Sequence, residues 1–478
     1  MAWPLRNEAW SNFVKHGCGT CEAVNPSHPQ GRGGFPETER LQTLWTPMKR
    51  WRLYLIICVV FFLAIPGGAW SLTLEEAIEL AKKNLPSYRG AQESVLSREA
   101  LYQASLGPYL PSLDADAGHA VHDTSSQYYD ANTYGLSASY RLFDGGKRRA
   151  DRDTAALNLS SEREGLRQSL QDLILNVKIS FYTAVAGRDI ILQRRSQLEY
   201  ARKDFEVADG RYRLGAARLS EVLQASVRVE QARFNLIQAE GDFAKALSEL
   251  RSLIGAPADG SPELNGSLEA AGVLPERPIL RNAVLRRPEI LQARYTLDRA
   301  KRARDSVTSE FYPTVSASMS YSRTTDTGMT GNPAQDRVAM LSASWNLFEF
   351  GKFYRRKSSA IEIRVSEEGL RELQRQLSLD LEKNYEDYVT ADRNVAVASE
   401  QLRQAEQNYD QAFGEYKVGK GDILSLVQAE TLLANAREQT VSARLNRILA
   451  EAQVERTAGT AAPEAAPPPD IGNGSIWP

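Results

Sequence analysis

The chain has 478 residues, enough for two or three domains, and its 58 basic residues are nearly balanced by 60 acidic residues. This balance provides no basic surface for a polyanion, so we expect no nucleic-acid partner. The longest apolar run, Leu53 to Ile65, has about 13 residues and is too short to cross a bilayer as a helix.

The segment around this apolar run has the three parts of a secretory signal peptide. Basic residues follow Met48, the apolar run comes next, and small residues that suit cleavage lie near Ala69 and Ser71. We therefore predict a signal peptide over residues 48–71. Residues 1–47 are interpreted as an upstream misannotation or a disordered extension.

The cysteines give only a weak indication of a metal or redox site. Cys18 and Cys21 form a single CxxC pair without a second pair, and Cys58 lies within the predicted signal peptide. The mature chain would then contain no cysteine, which suits an oxidising compartment. We predict no metal site and no cofactor.

Two alternating runs predict a β-hairpin over about residues 112–143. Apolar and polar side chains alternate from Leu113 to Val121 and again from Leu136 to Leu142, which is the period of strands with one polar face. Each strand has about 10 residues, the length of a tilted transmembrane strand. The polar stretch from Asp123 to Thr133 is predicted to be the loop between them.

A single long helix is predicted over about residues 146–212, because no proline occurs between Ser112 and Ala256. At about 1.5 Å per residue it would be roughly 100 Å long, far longer than a globular domain needs. Gly215 can adopt the left-handed conformation that ends a helix, so we predict a tip turn at about 212–220. A return helix then completes a first structural repeat over residues 72–256.

A second repeat is predicted over residues 288–457, after a proline-containing linker at 257–287. Pro86 corresponds to Pro288 and Gly215 to Gly419, and the offsets between matched positions stay between 202 and 205 residues. The predicted elements follow in the same order: a β-hairpin (about 313–349), a long helix (about 351–416), a tip turn (about 416–422), and finally an alanine- and proline-rich disordered tail (458–478).

Apolar residues recur every 3 or 4 positions along the second long helix, which is the spacing of a coiled-coil seam. The other positions are mostly polar, so the helix is expected to bury a seam and keep much of its surface in water. The predicted seam residues are Leu370, Leu373, Leu377, Leu381, Tyr385, Tyr388, Ala391, Val395, Ala398, Leu402, Ala405, Tyr409, Phe413 and Tyr416.

Four strands cannot close a barrel, yet strands in lipid must leave no unpaired edge. The chain is therefore expected to oligomerise, and an interior wide enough for cargo favours the twelve strands of three copies over the eight of two. The predicted fold is mainly α with transmembrane β. Duplicated long-helix hairpins form an α-barrel, and four strands per chain contribute to a shared trimeric β-barrel.

From Leu72 to Thr457 the chain resembles the TolC-like outer-membrane efflux proteins. The resemblance rests on the duplication, on the hairpin exits at 142–147 and 347–352, and on the tip turns at Gly215 and Gly419. It implies a homotrimer with a barrel in outer-membrane lipid and a twelve-helix periplasmic tunnel. It also implies docking to a periplasmic adaptor (membrane fusion) protein and to an inner-membrane pump or ABC exporter.

The resemblance further implies a closed periplasmic entrance at the two tip turns. Tyr416 falls on the family's tyrosine, and Ser220 and Glu221 fall on its hydroxyl and acid positions. The family's arginine position holds Gly421, and its ring of acids falls on Ser425 and Gln428. The candidate entrance residues are Tyr212, Gly215, Ser220, Glu221, Tyr416, Gly419, Asp422, Ser425 and Gln428.

The residues themselves leave other roles open. Tyr416 can be seam packing or a latch, and Asp422 is explained as a helix cap. Asp114 and Asp116 share one strand face and are candidates for the channel lumen, while a solvated polar face is the other interpretation. We predict no catalytic residues and no enzymatic activity.

Two functions are considered. The first is a passive outer-membrane exit duct of a tripartite efflux or type I secretion system, which exports solutes or polypeptide. The second is a periplasmic coiled-coil adaptor or scaffold without a membrane barrel. That alternative requires no membrane-spanning strands, whereas this chain has two alternating hairpins in matching repeat positions.

Overall fold

The computed structural model describes residues 71–125, 127–256, 263–269, 272, 274–326 and 334–460. The predicted signal peptide apart from Ser71 lies outside these ranges. The predicted extension at 1–47, the Cys18–Cys21 pair, the first part of the linker and most of the predicted tail also lie outside them.

The first half contains two short helices, a β-hairpin and a long helical hairpin. In α1 the Thr73 hydroxyl accepts a hydrogen bond from the Glu76 amide at 3.3 Å, and the Glu76 carboxylate accepts one from the Thr73 amide at 3.0 Å. The elements are β1 (Ser71–Leu72), α1 (Leu74–Asn84), α2 (Pro86–Ala104), β2 (Ser112–Thr124), β3 (Gln127–Phe143), α3 (Lys147–Arg213) and α4 (Leu219–Ile254).

The second half repeats this order, with two helices before a β-hairpin and a second long helical hairpin. Its elements are β4 (Glu263–Leu264), α5 (Arg277–Val284), α6 (Pro288–Ser309), β5 (Thr314–Asp326), β6 (Ala334–Ser344), α7 (Phe350–Lys417) and α8 (Ile423–Ala458). The long helices α3 and α7 have 67 and 68 residues. The mainly α fold with duplicated long-helix hairpins and four long strands is confirmed.

The first hairpin is longer than the sequence predicts. The expected loop from Asp123 to Thr133 is wrong, because β2 continues to Thr124 and β3 begins at Gln127. Strand pairing with β5 extends up to Ala131 and Asn132. Ladder hydrogen bonds therefore outweigh the low strand propensity of this polar stretch, as tertiary pairing commonly does.

The four long strands form one antiparallel sheet in the order β2-β3-β5-β6. The two hairpins join through β3 and β5, where Ala138 faces Met319 and Leu136 faces Tyr321. Strands β2 and β6 are the outer strands, and the described residues offer neither of them a second partner.

One face of the sheet is mainly apolar and the other is mainly polar. Side chains alternate between the two faces along each strand, and directly opposed residues on neighbouring strands share a face. The register brings Leu113, Ala138, Met319 and Ala339 into one row. The adjacent row on the other face contains Ser112, Ser139, Ser318 and Met340, and the Ser112 and Ser139 hydroxyls are 2.8 Å apart. Met319 on the apolar face remains 66% exposed in the single chain.

The long helices pack in pairs, α3 with α4 and α7 with α8, and α3 also contacts α8. The buried apolar residues of α7 all belong to the predicted seam: Leu377, Leu381, Tyr388, Ala398, Ala405, Tyr409 and Tyr416. Much of the remaining surface of α7 is exposed. A search of the described helices finds none that is long and apolar enough to cross a membrane.

A large core lies where the first helices meet the middle of α3 and the ends of α4 and α8. Phe181, Val177 and Leu250 are almost fully buried there. Close by, Arg456 of α8 contacts Asp172 of α3 at 2.6 Å and Glu289 of α6 at 2.9 Å. Apolar packing and ion pairs thus tie the two repeats together at this level.

We predict that Gly255→Ala destabilises the protein more than Gly215→Ala. Both glycines have a positive φ, 64° and 71°, which costs an alanine about 1 to 2 kcal/mol. A Cβ on Gly255 would also lie 2.5 Å from the Asn84 Cβ and disturb the hydrogen bond from Asn84 to the Ile254 carbonyl, whereas Gly215 has open space. We expect losses of about 3 and about 1 kcal/mol by urea unfolding in detergent, and equal losses would refute this explanation.

Candidate functional site

The turns α3–α4 and α7–α8 have the same backbone structure. Gly215 and Gly419 have φ of 71° and 77°, and their amides donate to the carbonyls of Tyr212 and Tyr416 at 2.9 and 3.1 Å. Left-handed glycines of this kind end helices by satisfying their last carbonyl groups. The two predicted tip turns therefore close the long helices in the same way.

Three residues, which we name the tip network, link these turns: Arg211, Glu221 and Tyr416. The Tyr416 side chain is fully buried, and its hydroxyl donates to the Glu221 carboxylate at 3.2 Å. Arg211 donates to the Tyr416 carbonyl at 2.7 Å, and its guanidinium carbon lies 4.4 Å from the centre of the Tyr416 ring. A single tyrosine thus holds α3, α4 and α7 together.

The electrostatics of the tip network keep Tyr416 a hydrogen-bond donor. Burial, together with the nearby Glu221 carboxylate, raises the pKa of Tyr416 to about 12. The hydroxyl is therefore protonated at neutral pH. The other Glu221 oxygen accepts a hydrogen bond from the Arg218 amide at 3.3 Å. This carboxylate therefore caps the start of α4 and also accepts the hydrogen bond from the Tyr416 hydroxyl.

Arg211 was not among the residues predicted from the sequence. The family's arginine position, just after the second turn, holds Gly421 here, and the cation that contacts Tyr416 lies on α3. A Cβ on Gly421 would lie 3.1 Å from the Glu415 Cβ and 3.2 Å from the Tyr416 amide, so a side chain there would be crowded. The repeat does not point to Arg211, because the match of Gly215 to Gly419 aligns Tyr416 with Tyr212 and Arg211 with Glu415.

The remaining predicted entrance residues lie outside the tip network. Tyr212, Ser220, Ser425 and Gln428 have exposed side chains. Asp422 caps α8, since its carboxylate accepts from the Ser425 amide at 2.8 Å, and hydrogen bonds from Ser425 lower the pKa of Asp422. Of the predicted residues, the structure brings the side chains of Tyr416 and Glu221 together.

A second buried group lies deeper between the hairpins, and of its three residues only Tyr409 was predicted from the sequence, as part of the seam. We name Asp204, Tyr409 and Glu430 the acid cluster; their exposed fractions are 5%, 4% and 5%. The Tyr409 hydroxyl donates to Asp204 at 3.0 Å. Burial raises the pKa of Asp204 to about 6, and burial plus the nearby Asp204 raises that of Glu430 to about 7.

The predicted lumen residues lie on the polar face of the sheet. Asp114 is paired with Ser137, and Asp116 with Gly135. A Cβ on Gly135 would collide with the Asp116 carboxylate, so the glycine provides the space into which this side chain folds. Among the described residues, no three His, Cys, Asp or Glu side chains are arranged to hold a metal ion.

We predict that Arg211→Ala loosens the turns more than Tyr416→Phe. The alanine variant removes a charged hydrogen bond and a ring contact, about 2 kcal/mol, while the phenylalanine variant removes one hydrogen bond, about 1 kcal/mol. Amide hydrogen exchange over 211–216 and 415–421 should accelerate accordingly, roughly 30-fold and fivefold. Arg213→Ala, which removes an exposed ion pair to Asp209, is the control and should change little. Equal effects of the two arginine variants would contradict the assigned role of Arg211.

Comparison with known proteins places this geometry in a family. Residues 77–256 and 279–460 match the family described as outer membrane efflux protein. Protein CyaE of Bordetella pertussis is 27% identical over 381 residues, which cover 77% of this chain and 80% of that protein. Outer membrane protein TolC of Escherichia coli is 23% identical over 439 residues, with 85% and 86% covered.

Solved structures agree on the fold. A crystal structure of CusC superposes with a TM-score of 0.72 at 16% identity and covers 80% of this chain and 91% of that chain. The resemblance expected from the sequence is confirmed, and the match of both repeats favours a channel over an adaptor or scaffold. The chain therefore belongs to the outer membrane efflux protein family and is a channel protein of the outer membrane.

Proposed function

We propose that three copies of this chain assemble into a passive exit duct. In this assembly the sheets form a twelve-stranded barrel in the outer membrane, and the long helices form a periplasmic tunnel. A periplasmic adaptor docks the duct to an inner-membrane pump or ABC exporter, which supplies the energy to deliver solutes or polypeptide.

The two open edges of the sheet carry this proposal. Strands β2 and β6 have 13 and 11 residues and are long enough to cross the apolar part of a membrane. Unpaired backbone groups in lipid cost several kcal/mol each, so both edges need partners there. Pairing β2 of one copy with β6 of the next satisfies both edges, and three copies leave an open interior.

The two faces of the sheet fit the two environments of such a barrel. The face with Leu113, Met319 and Leu341 is exposed in the single chain and would contact lipid. The opposite face carries the serine rows together with Asp114 and Asp116, and it would line the lumen. Three copies would contribute six of these carboxylates.

The long helices fit the wall of a tunnel. Each buries a narrow seam against its neighbour and leaves polar side chains exposed along its length, as a helix with water on two sides requires. The tip network lies at the far end of this wall and holds the two hairpins of one subunit together. In the proposed mechanism it stabilises the closed entrance, and the adaptor favours the arrangement in which its contacts are released.

We predict that Met319→Arg prevents assembly and that Ser318→Arg does not. The two positions are adjacent on β5 but lie on opposite faces. An arginine facing lipid costs about 2 to 4 kcal/mol near the bilayer centre, and one facing a water-filled lumen costs little. The wild type and Ser318→Arg should give a heat-dissociable trimer in the outer-membrane fraction on a semi-native gel. A soluble monomer for the wild type would defeat the proposal.

We also predict that replacing both Asp114 and Asp116 by asparagine lowers the preference of the pore for cations. Rings of carboxylates raise the local cation concentration in a narrow aqueous pore. The cation-to-anion permeability ratio, measured from the reversal potential in a salt gradient, should fall about twofold or more. Ser318→Ala on the same face serves as the control. An unchanged ratio would show that these acids do not line the lumen.

A further inference from the structure

The acid cluster joins three helices at the contact between the two hairpins. Asp204 lies on α3, Tyr409 on α7 and Glu430 on α8, and all three side chains are at least nine-tenths buried. The Asp204 carboxylate accepts a hydrogen bond from the Tyr409 hydroxyl at 3.0 Å. Two carboxyl groups are therefore buried at this contact, near enough for the charge of Asp204 to act on Glu430.

The charged groups around the cluster compensate it incompletely. Arg228 on α4 attracts Glu430, but its guanidinium donates to the Thr431 hydroxyl at 3.3 Å. On the other side Lys203 and Arg437 lie 5.7 and 4.9 Å from the Tyr200 ring centre, and Arg437 is also 3.8 Å from Glu406. Lys203 thus contacts Tyr200, and Arg437 contacts Tyr200 and Glu406. The two buried carboxylates are therefore poorly neutralised when both are ionised.

The cluster lies next to the tip network. Tyr409 and Tyr416 are two helical turns apart on α7, about 10 Å along the axis, and both belong to one buried cluster with Leu426 and Leu433 of α8. Asp204 and Arg211 have the same seven-residue spacing on α3. Because α3 and α7 carry residues of both groups, separation of these two helices at one group disturbs the other.

We propose that Asp204 and Glu430 form a proton-controlled latch, in which protonated carboxyl groups hold the helical tips together and ionised ones push them apart. This proposal rests on the proposed function, because it assigns a regulatory input to the same entrance. The periplasmic side of an outer-membrane channel is exposed to external pH, which gives the latch a physiological signal.

The direction of the pH effect follows from burial. Buried in the closed tips, Asp204 and Glu430 have pKa values of about 6 and about 7, above their ordinary 3.8 and 4.5. Water reaching them in opened tips would return these values towards the ordinary ones. The stability that these two groups give the closed state is therefore fully present below about pH 4, declines as pH rises, and is lost above about pH 7.

Single-channel recording of the purified trimer tests the latch directly. With the helical-tip side changed from pH 5.5 to pH 8, we expect the open-to-closed ratio of the wild type to rise about tenfold, since each pKa unit corresponds to a factor of ten. Glu430→Gln removes one of the two titrating groups and should respond less, whereas the double variant Asp204→Asn, Glu430→Gln is neutral at both positions and should keep the low ratio at both pH values. Asp410→Asn, at an exposed acid beside Tyr409, should keep the wild-type response. A wild type that ignores pH, or a double variant that still responds, would overturn the latch.

Hydrogen exchange in detergent tests the latch without requiring pores. The exchange rates of wild type and Glu430→Gln over residues 204–213 and 423–433 should be equal at pH 5.5 and differ about tenfold at pH 8, with the wild type faster. The intrinsic chemical rate cancels in this ratio. The same ratio at both pH values rejects the latch, whereas absence of pores alongside a pH-dependent ratio would reject the exit duct and leave the latch standing.

Discussion

The backbone of a strand in lipid must find every hydrogen-bond partner within protein, and this requirement shapes the whole chain. A four-stranded sheet with β2 and β6 as open edges cannot meet it alone. The helices show the same incompleteness, because each long helix buries a seam and leaves the rest of its circumference exposed. The proposed ring of copies would resolve both problems at once.

Polar side chains connect the two hairpins where α3 and α7 meet. Arg211 contacts Tyr416 and Asp204 contacts Tyr409. The two contacts are seven residues apart on both helices, or about 10 Å along their axes. A cation beside an aromatic ring and a hydroxyl bonded to an acid therefore join the hairpins in addition to apolar packing.

The sequence predicts features that depend on one periodic pattern or one special residue. The α7 seam follows from the spacing of Leu377, Leu381 and Tyr388, and the turns follow from Gly215 and Gly419. Features that depend on pairing between distant segments are missed. Strands β2 and β3 extend to Thr124 and back to Gln127 because partners are available, and Arg211, Asp204 and Glu430 become important only when separate helices meet. The family pattern included Tyr416 and Glu221, which the structure brings together, but gave no indication of Arg211.

The chain combines a firm middle with weakly held tips. The large core contains Phe181, Leu250 and Ile254, whose burial contributes about 1.5 to 3 kcal/mol each. In the buried cluster that contains Tyr409 and Tyr416, five of the ten buried residues are alanines. Alanines bury little area and let helices pass closely. Polar contacts of about 1 to 3 kcal/mol each therefore decide whether the tips stay together. Contacts of that size can be overcome by a docking partner or by the ionisation of two buried acids, while the core and the ion pairs of Arg456 keep the subunit folded.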